Sequence, residues 1–436
     1  MISSDVAFAV SSIARSPASS RIPPLIKRNT WLFALCQSFT GAGMSFAYGL
    51  GPLMVLALTS SATLSGLSVA LLGLSRFLAS YPTGKITDAF GRKPGILFGL
   101  ALALAGGIAV GFSMSAHSIV LLIGGMLVFG MGMSAAQQMR VAATDMYPPY
   151  MRAQALGFVA LGSLVGLLVS PAMIGSAEAL AHRIGQEPLG LPWFMLPLLI
   201  VPGMLLVTLV RPDPKEIGMN LERYYTGYVP PPRPPAGERP AFRAMSLLEH
   251  PPTRLAIVSN CAAQGNMSIV MVLTSLVLNQ HGHSLAAIAF SHMFHSAGMF
   301  ALTVPLGRLA DRHGREPMMY LGVAGALVGA ILVAFTGAYW LVTLGTFLVG
   351  LGWAAANVAA TALIADHAHT GVRGRAIGVT DSFAGAITVL TAVVTGPLIE
   401  WSGIPATGVA AVLLSVVPFL MLFGMRLNAR LQRRRA

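Results

Sequence analysis

Residues 307–315 read Gly307-Arg308-Leu309-Ala310-Asp311-Arg312-His313-Gly314-Arg315, a short basic segment between two long apolar stretches. A related segment occurs at residues 84–93 and reads Gly84-Lys85-Ile86-Thr87-Asp88-Ala89-Phe90-Gly91-Arg92-Lys93. Glycine permits a tight turn, and basic residues favour one side of a bilayer. These properties explain the glycines and arginines but not the aspartate that both copies share. The two segments therefore indicate a chain made of two similar halves.

Apolar stretches of membrane-spanning length surround both segments. Hydrophobic residues make up 55% of the chain and charged residues 10%, whereas a soluble domain carries about 25% charged residues. A helix needs about 20 residues to cross ~30 Å of hydrocarbon. We therefore predict twelve spans, numbered in chain order: 31–58, 63–84, 95–113, 118–138, 154–175, 192–210, 254–278, 285–306, 318–336, 340–363, 376–399 and 406–425.

The distribution of lysine and arginine predicts the orientation, because these residues are retained on the cytoplasmic side. With a cytoplasmic N-terminus, 26 of the 28 basic residues fall in cytoplasmic segments, among them residues 140–152. The exceptions are Arg76 in span 2 and Arg183 outside. We expect a multi-pass protein of the inner membrane with both termini in the cytoplasm. Its net charge of +13 then needs no nucleic-acid partner.

The spans divide the chain into five parts. Residues 1–30 form a polar tail without the apolar core and cleavage site of a signal peptide, and we expect them to be disordered in the cytoplasm. Two six-helix bundles follow, with a proline-rich cytoplasmic linker between them and a basic cytoplasmic tail at the end. The first bundle is residues 31–210, the linker is 211–253, the second bundle is 254–425 and the basic tail is 426–436.

Internal repetition supports the two bundles. Gly84, Asp88, Gly91, Arg92 and Pro94 recur 223 positions later, and Asp145, Arg152 and Gly157 recur after 221 positions. The same offset of 223 relates Gln37, Met44 and Ser45 in span 1 to Asn260, Met267 and Ser268 in span 7. Parallel repeats of this kind imply a pseudo-twofold axis along the membrane normal, with a substrate path between the halves.

Residues 307–315 closely resemble the signature of the major facilitator superfamily, which joins the second and third helices of each half. The copy at 84–93 departs from it at Ala89, where the family usually has a basic residue. With the segments 145–152 and 366–373, the resemblance covers about residues 31–425. It implies an all-α membrane protein with twelve transmembrane helices in two pseudo-symmetric six-helix bundles.

The resemblance also implies two ion pairs at the ends of the spans. Arg92 is expected to pair with Asp145, the acidic residue that closes span 4. Arg315 is expected to pair in the same way with Asp366, at the end of span 10. We therefore regard all four residues as parts of a candidate gate.

The two signature aspartates complete this gate. The resemblance places Asp88 near the start of span 11, around residues 375–378, and Asp311 near the start of span 5, around residues 152–157. A carboxylate at a helix N-terminus contributes about 0.3–1 kcal/mol, enough to hold a gate without locking it. The alternative is that each segment is only a turn.

Ionisable groups inside the spans are candidates for substrate binding or coupling, because burying them in hydrocarbon is unfavourable. Arg76 in span 2 and Asp381 in span 11 lie at similar predicted depths, on helices that the resemblance places side by side. A switching pair and a static pair both remain open. Glu178 and Glu400 lie near the outer ends of their spans and are predicted to be interfacial.

His292 and His295 share one face of span 8. Three interpretations remain open: polar or substrate contacts first, then proton transfer near neutral pH, and last a metal site. A metal site needs further ligands at defined spacing, and the sequence offers none, so we predict no metal. We also predict no cofactor.

Uncharged polar residues occur at helical spacing in spans that line the central cavity of the family. They predict a mixed polar and apolar pocket, although such residues also simply join helices. The candidate pocket residues are Gln37, Asn260, Gln264, Gln138, Asn357 and Trp353, the last of these being the aromatic residue above Asn357.

These features together predict a secondary active transporter that moves a small organic solute by alternating access. Arg76 favours an anionic solute, and protons are a candidate coupling ion. An exporter of drugs or metabolites working by proton antiport is an alternative. Span 5 holds part of the pattern that the family associates with antiporters, namely Gly157, Gly166, Pro171 and Gly175. A non-transporting membrane sensor with the same fold is an alternative of another class. No catalytic residue set and no ATP-binding loop is present in the sequence, so an enzyme and an ATP-driven pump are not expected.

Overall fold

The structure is a computed structural model that describes residues 22–148, 151–226, 228, 245–367 and 373–435. These residues contain no strand and fold into long helices, in agreement with the predicted all-α class. The helices of the first six spans are Pro24–Thr59, Leu67–Phe90, Arg92–Ser115, Ile119–Ala136 with Gln138–Asp145, Arg152–Ile184, and Pro197–Leu209. Those of the last six are Pro251–Gln280, Leu285–Phe300 with Thr303–His313, Arg315–Phe335, Tyr339–His367, Arg373–Ser402, and Ile404–Arg435.

Ten of the twelve spans form helices that are long and apolar enough to cross a membrane, within the part of the chain that the structure describes. The other two are span 5, a helix of 33 residues, and span 8, which is divided at residues 301–302. We call the end of the bundle where span 1 starts and span 12 finishes the terminal end. The opposite end is the distal end.

The signature glycines make the sharp turns between spans at the terminal end. Gly91 has a φ of 99° between spans 2 and 3, and Gly314 has a φ of 96° between spans 8 and 9. A side chain is strained in this region of backbone space, whereas glycine is not. The two turns are therefore equivalent in sequence and in backbone conformation.

Spans 3 and 4 pack backbone to backbone within the first half. A Cβ at Gly99 or at Gly132 would contact the main chain of the opposite helix. Spans 9 and 10 pack in the same way through Gly322 and Gly352. Small residues permit this close approach, which stabilises helix pairs in a bilayer through van der Waals contact.

The linker over 211–253 is partly folded, although its proline-rich composition favours extended, unpacked chain. Its first part folds into the helices Pro214–Met219 and Leu221–Arg223, and Ser246–Glu249 is helical near its end. Asp213 organises the first part, because its carboxylate accepts hydrogen bonds from the backbone N–H groups of Arg92, Lys93 and Lys215 at 2.8–3.1 Å. Residues 229–244 lie outside the described residues.

The predicted tails also overlap the helices. Span 1 begins at Pro24, so the last residues of the predicted tail 1–30 are helical, while residues 1–21 lie outside the described residues. Span 12 continues to Arg435 and includes nearly all of the predicted tail 426–436.

Candidate substrate site between the halves

Glu178 joins the two halves at the distal end. Its Oε1 accepts a hydrogen bond from the backbone N–H of Leu285 at 3.1 Å, and its Oε2 accepts one from Ala286 at 3.3 Å. Leu285 and Ala286 open the first helix of span 8, whose first N–H groups have no partner within the helix. The prediction that Glu178 is interfacial stays a prediction; the structure adds this cap across the halves, which a sequence without tertiary contacts does not reveal.

A second contact between the halves lies one to two turns deeper. Ser275 Oγ in span 7 donates a hydrogen bond to the carbonyl oxygen of Gly49 in span 1 at 3.0 Å. His292 Nε2 lies 3.0 Å from the same hydroxyl. Because the single hydroxyl proton of Ser275 goes to Gly49, His292 Nε2 is the donor in the second bond. His292 thus holds the serine that joins spans 1 and 7.

His295 is bound within the second half. Its Nδ1 donates to the carbonyl oxygen of Thr346 in span 10 at 2.9 Å. Both histidines are 2% exposed, and each has one ring nitrogen with a protein partner. The described part of the chain brings no three metal-binding side chains together.

The terminal end holds the two expected ion pairs. Arg92 Nε lies 2.7 Å from Asp145 Oδ2, and Arg315 Nε lies 3.4 Å from Asp366 Oδ2. The first pair is the more buried, with side chains 16% and 25% exposed against 25% and 55% for the second. The pairs are thus equivalent in position but unequal in geometry.

The other two gate residues are Asp88 and Asp311. Their side chains lie outside the described residues, as do those of Arg152, Gly157, Arg375 and Gly378 at the helix starts expected to receive them. The contacts that the resemblance implies for the two aspartates therefore stay predictions.

Arg76 and Asp381 are exposed on spans 2 and 11, which pack against each other across the halves. The guanidinium of Arg76 interacts electrostatically with the carboxylate of Asp381 and with Tyr48 of span 1. The structure thus brings the two predicted residues of opposite charge into one neighbourhood.

The position of Arg140 differs from the topological prediction, which placed this residue in a cytoplasmic segment. It lies on the helix Gln138–Asp145, the second piece of span 4, and is half-buried. Its Cζ stands 5.3 Å from the centroid of the Phe300 ring, which belongs to span 8. The signal that the sequence offers is position: Arg140 precedes Asp145 by more than a helical turn, so the helix carries it back into the bundle.

Two pairs of predicted pocket residues join spans 7 and 10. Asn357 Nδ2 donates to Asn260 Oδ1 at 3.1 Å, and Trp353 Nε1 donates to Gln264 Oε1 at 2.6 Å. In the first half, Gln37 is buried and its Oε1 has no hydrogen-bond partner in the described part of the chain. Gln138 is half-buried at the start of the second piece of span 4. Polar groups from both halves are thus present, but the hydrogen-bonded pairs lie in the second half.

A family model supplies the relationship to known proteins. The model of the Major Facilitator Superfamily matches residues 33–252 and 255–435. The MFS-type transporter YdeG of Bacillus subtilis is 27% identical over 365 residues, which cover 82% of each chain. The riboflavin transporter RfnT of Brucella anthropi is 27% identical, over 86% of this chain and 90% of its own.

Solved structures of transporters share the fold at low sequence identity. A bacterial homologue of the lysosomal transporter Spinster, in an inward-facing and occupied conformation, superposes with a TM-score of 0.67 at 15% identity, covering 93% of this chain and 97% of its own. The nucleoside transporter NupG gives a TM-score of 0.65 at 12% identity, over 92% and 99% of the two chains. With the family match over both halves, the motifs and this fold show that the chain is a membrane transporter of the Major Facilitator Superfamily.

Proposed function

We propose that this transporter is a secondary active carrier that moves a small organic solute across the inner membrane by alternating access. Its terminal end faces the cytoplasm in this proposal, because 26 of the 28 lysines and arginines fall in the segments predicted to lie at that end. A solute would then exchange between the two sides as the halves seal first at one end and then at the other.

The observation that carries the proposal is how the halves meet. Glu178 and Ser275 join them by hydrogen bonds in the distal half, while Arg76 and Asp381 remain exposed where spans 2 and 11 meet. An exposed ionisable pair between two bundles that are joined by hydrogen bonds at the distal end is an arrangement suited to receiving a polar solute from the other end.

Protons are the coupling ion in this proposal, with Asp381 as the first candidate to carry them. A carboxylate that interacts with Arg76 changes that interaction when it is protonated, and so links a proton to the approach of spans 2 and 11. His292 and His295 are less suited, because each already holds a structural hydrogen bond away from this pair.

Flux into proteoliposomes tests the function. Riboflavin is the first solute to try, given the 27% identity to RfnT, followed by a panel of metabolites and antibiotics. We expect saturable uptake that follows an imposed proton gradient and is absent from protein-free liposomes. The gradient that drives accumulation also separates import from export. Tight binding of a solute with no flux in either direction would instead indicate a sensor.

A further inference from the structure

Arg140 is a cation placed between the two halves. Its guanidinium lies over the ring of Phe300, so span 4 meets span 8 through a cation–π contact. Its Nε is buried and has no hydrogen-bond partner among the residues that the structure describes. A ring on one face of a guanidinium leaves the N–H groups in the guanidinium plane directed sideways, in the geometry that carboxylates bind.

Arg76 supplies a second positive charge to the same place. It interacts electrostatically with Arg140, as well as with Asp381 and Tyr48. These four groups come from spans 4, 2, 11 and 1, so both halves contribute. Among these described side chains, two guanidinium groups face one carboxylate, an excess of one positive charge.

Two features of this arrangement are unfavourable, and a bound anion would offset both. Like charges repel more strongly inside a protein than in water, and the charges of Arg76 and Arg140 interact unfavourably. A buried charged donor such as the Nε of Arg140 is also unfavourable without an acceptor. An anion between the two arginines would offset the repulsion and supply the missing acceptor.

We propose that Arg140 and Arg76 bind the carboxylate of a small organic anion, which is the transported solute. This inference rests on the proposed transport function and names its substrate class. In this site the in-plane N–H groups of Arg140 donate to the carboxylate of the solute, and Phe300 offers an apolar surface to the rest of it. Asp381 opposes binding by electrostatic repulsion and sets the affinity of the site.

A charge-matched series of probes tests the site. Benzoate, benzamide and benzylamine share one ring and differ in charge, and their binding to the purified full-length protein in lipid nanodiscs is measured by calorimetry. We expect benzoate to bind on the order of tenfold more tightly than benzamide, and benzylamine not to bind. Arg140→Gln and Arg76→Gln should each weaken benzoate binding on the order of tenfold.

Two further variants keep the test independent of folding. Asp381→Asn should strengthen benzoate binding, and a damaged protein does not gain affinity. Arg140→Lys retains the charge without the planar donor set and should bind benzoate with intermediate affinity. The control is Arg183→Gln, which removes an exposed arginine at the distal end of span 5 and should bind like the wild type.

The outcomes separate the site from the transport function. Equal binding of benzoate and benzamide, no binding of benzoate at all, or wild-type binding by Arg140→Gln would each overturn the anion site. Flux of an uncharged solute that Arg140→Gln leaves intact would overturn it too, while the transporter proposal stands. Charge-dependent binding of benzoate with no flux of any solute in either direction would support the anion site and overturn the transport function.

Discussion

The carboxylate of Glu178 and the backbone N–H of Leu285 form a 3.1 Å hydrogen bond that joins the halves at their distal end. The negative charge lies at the N-terminus of a helix of 16 residues, where the helix dipole favours it. The bond mirrors, at the opposite end of the molecule, the role expected of Asp88 and Asp311. Both closures would thus depend on a carboxylate of one half and a helix start of the other.

Glu178→Ala is expected to weaken distal closure, because it removes both acceptors from the start of span 8. A loss of about 1–3 kcal/mol would lower the ratio of closed to open protein by roughly 5- to 150-fold. Spin labels at Arg183 and Gln280, one on each half, would report the change as a longer distance. The control is Glu187→Gln, which alters a charge in the cavity that Glu178, Glu187 and Leu285 line at the distal end. Unchanged distances in Glu178→Ala would show that the cap does not hold the halves together.

The two ion pairs of the terminal end should differ in strength. Asp145→Asn breaks the shorter and more buried pair, and we expect it to lower stability by about 1–3 kcal/mol. Asp366→Asn removes a partner that is 55% exposed, and solvent screening should limit its effect to about 1 kcal/mol or less. Thermal unfolding of both variants in one detergent compares them. Equal losses would mean that exposure does not set the strength of these pairs.

Asp311→Asn should reduce transport while insertion into the membrane stays normal, because the expected partner of Asp311 is the start of span 5. Flux in proteoliposomes and the amount of protein in the membrane are measured together. Asp88→Asn tests the first copy of the signature in the same way. If both variants transport like the wild type, the segments serve only as turns.

Arg76 and Asp381 are tested as a pair. Each charge alone would be unfavourable in hydrocarbon by roughly 2.5–3.5 kcal/mol, so Arg76→Ala and Asp381→Ala should each reduce stability. A static pair predicts that the double variant recovers folding and transport. A switching pair predicts that it recovers folding only, with conformational cycling still defective. Transport by Asp381→Asn with unchanged pH dependence would exclude Asp381 as the proton carrier.

Labelling tests the orientation. A membrane-impermeant thiol reagent should reach a cysteine at Arg183 in intact cells, because this residue is predicted to be external. Cysteines at residue 1, within 211–253 and at residue 436 should react only after the cells are opened. Reaction of the linker in intact cells would contradict the arrangement of the two halves as parallel repeats.

The sequence was sufficient to predict the fold because its strongest signals are local. Apolar stretches define the spans without reference to the rest of the chain. The repeat is visible because the residues around Gly91 recur at one offset, 223 positions later, around Gly314. The pairs Arg92–Asp145 and Arg315–Asp366 followed from the resemblance to a known family. In these cases, the information lies in short segments.

The contacts that define the candidate site are not local, and the sequence alone missed them. Glu178 and Leu285 are 107 positions apart, and only the packing of spans 5 and 8 brings them together. Arg140 satisfied the rule for cytoplasmic segments, so its place in a helix beside Phe300 went unrecognised. The sequence likewise assigns Asp213 only to the linker, although its carboxylate accepts a hydrogen bond from the backbone at the start of span 3.

The glycine contacts of spans 3 with 4 and of spans 9 with 10 have a consequence for biosynthesis. The partners in each contact are consecutive in the chain, and Gly99 and Gly132 need only the turn between their spans to meet. We therefore expect each hairpin to be able to pack as soon as its second helix has entered the membrane, without waiting for the spans synthesised after it.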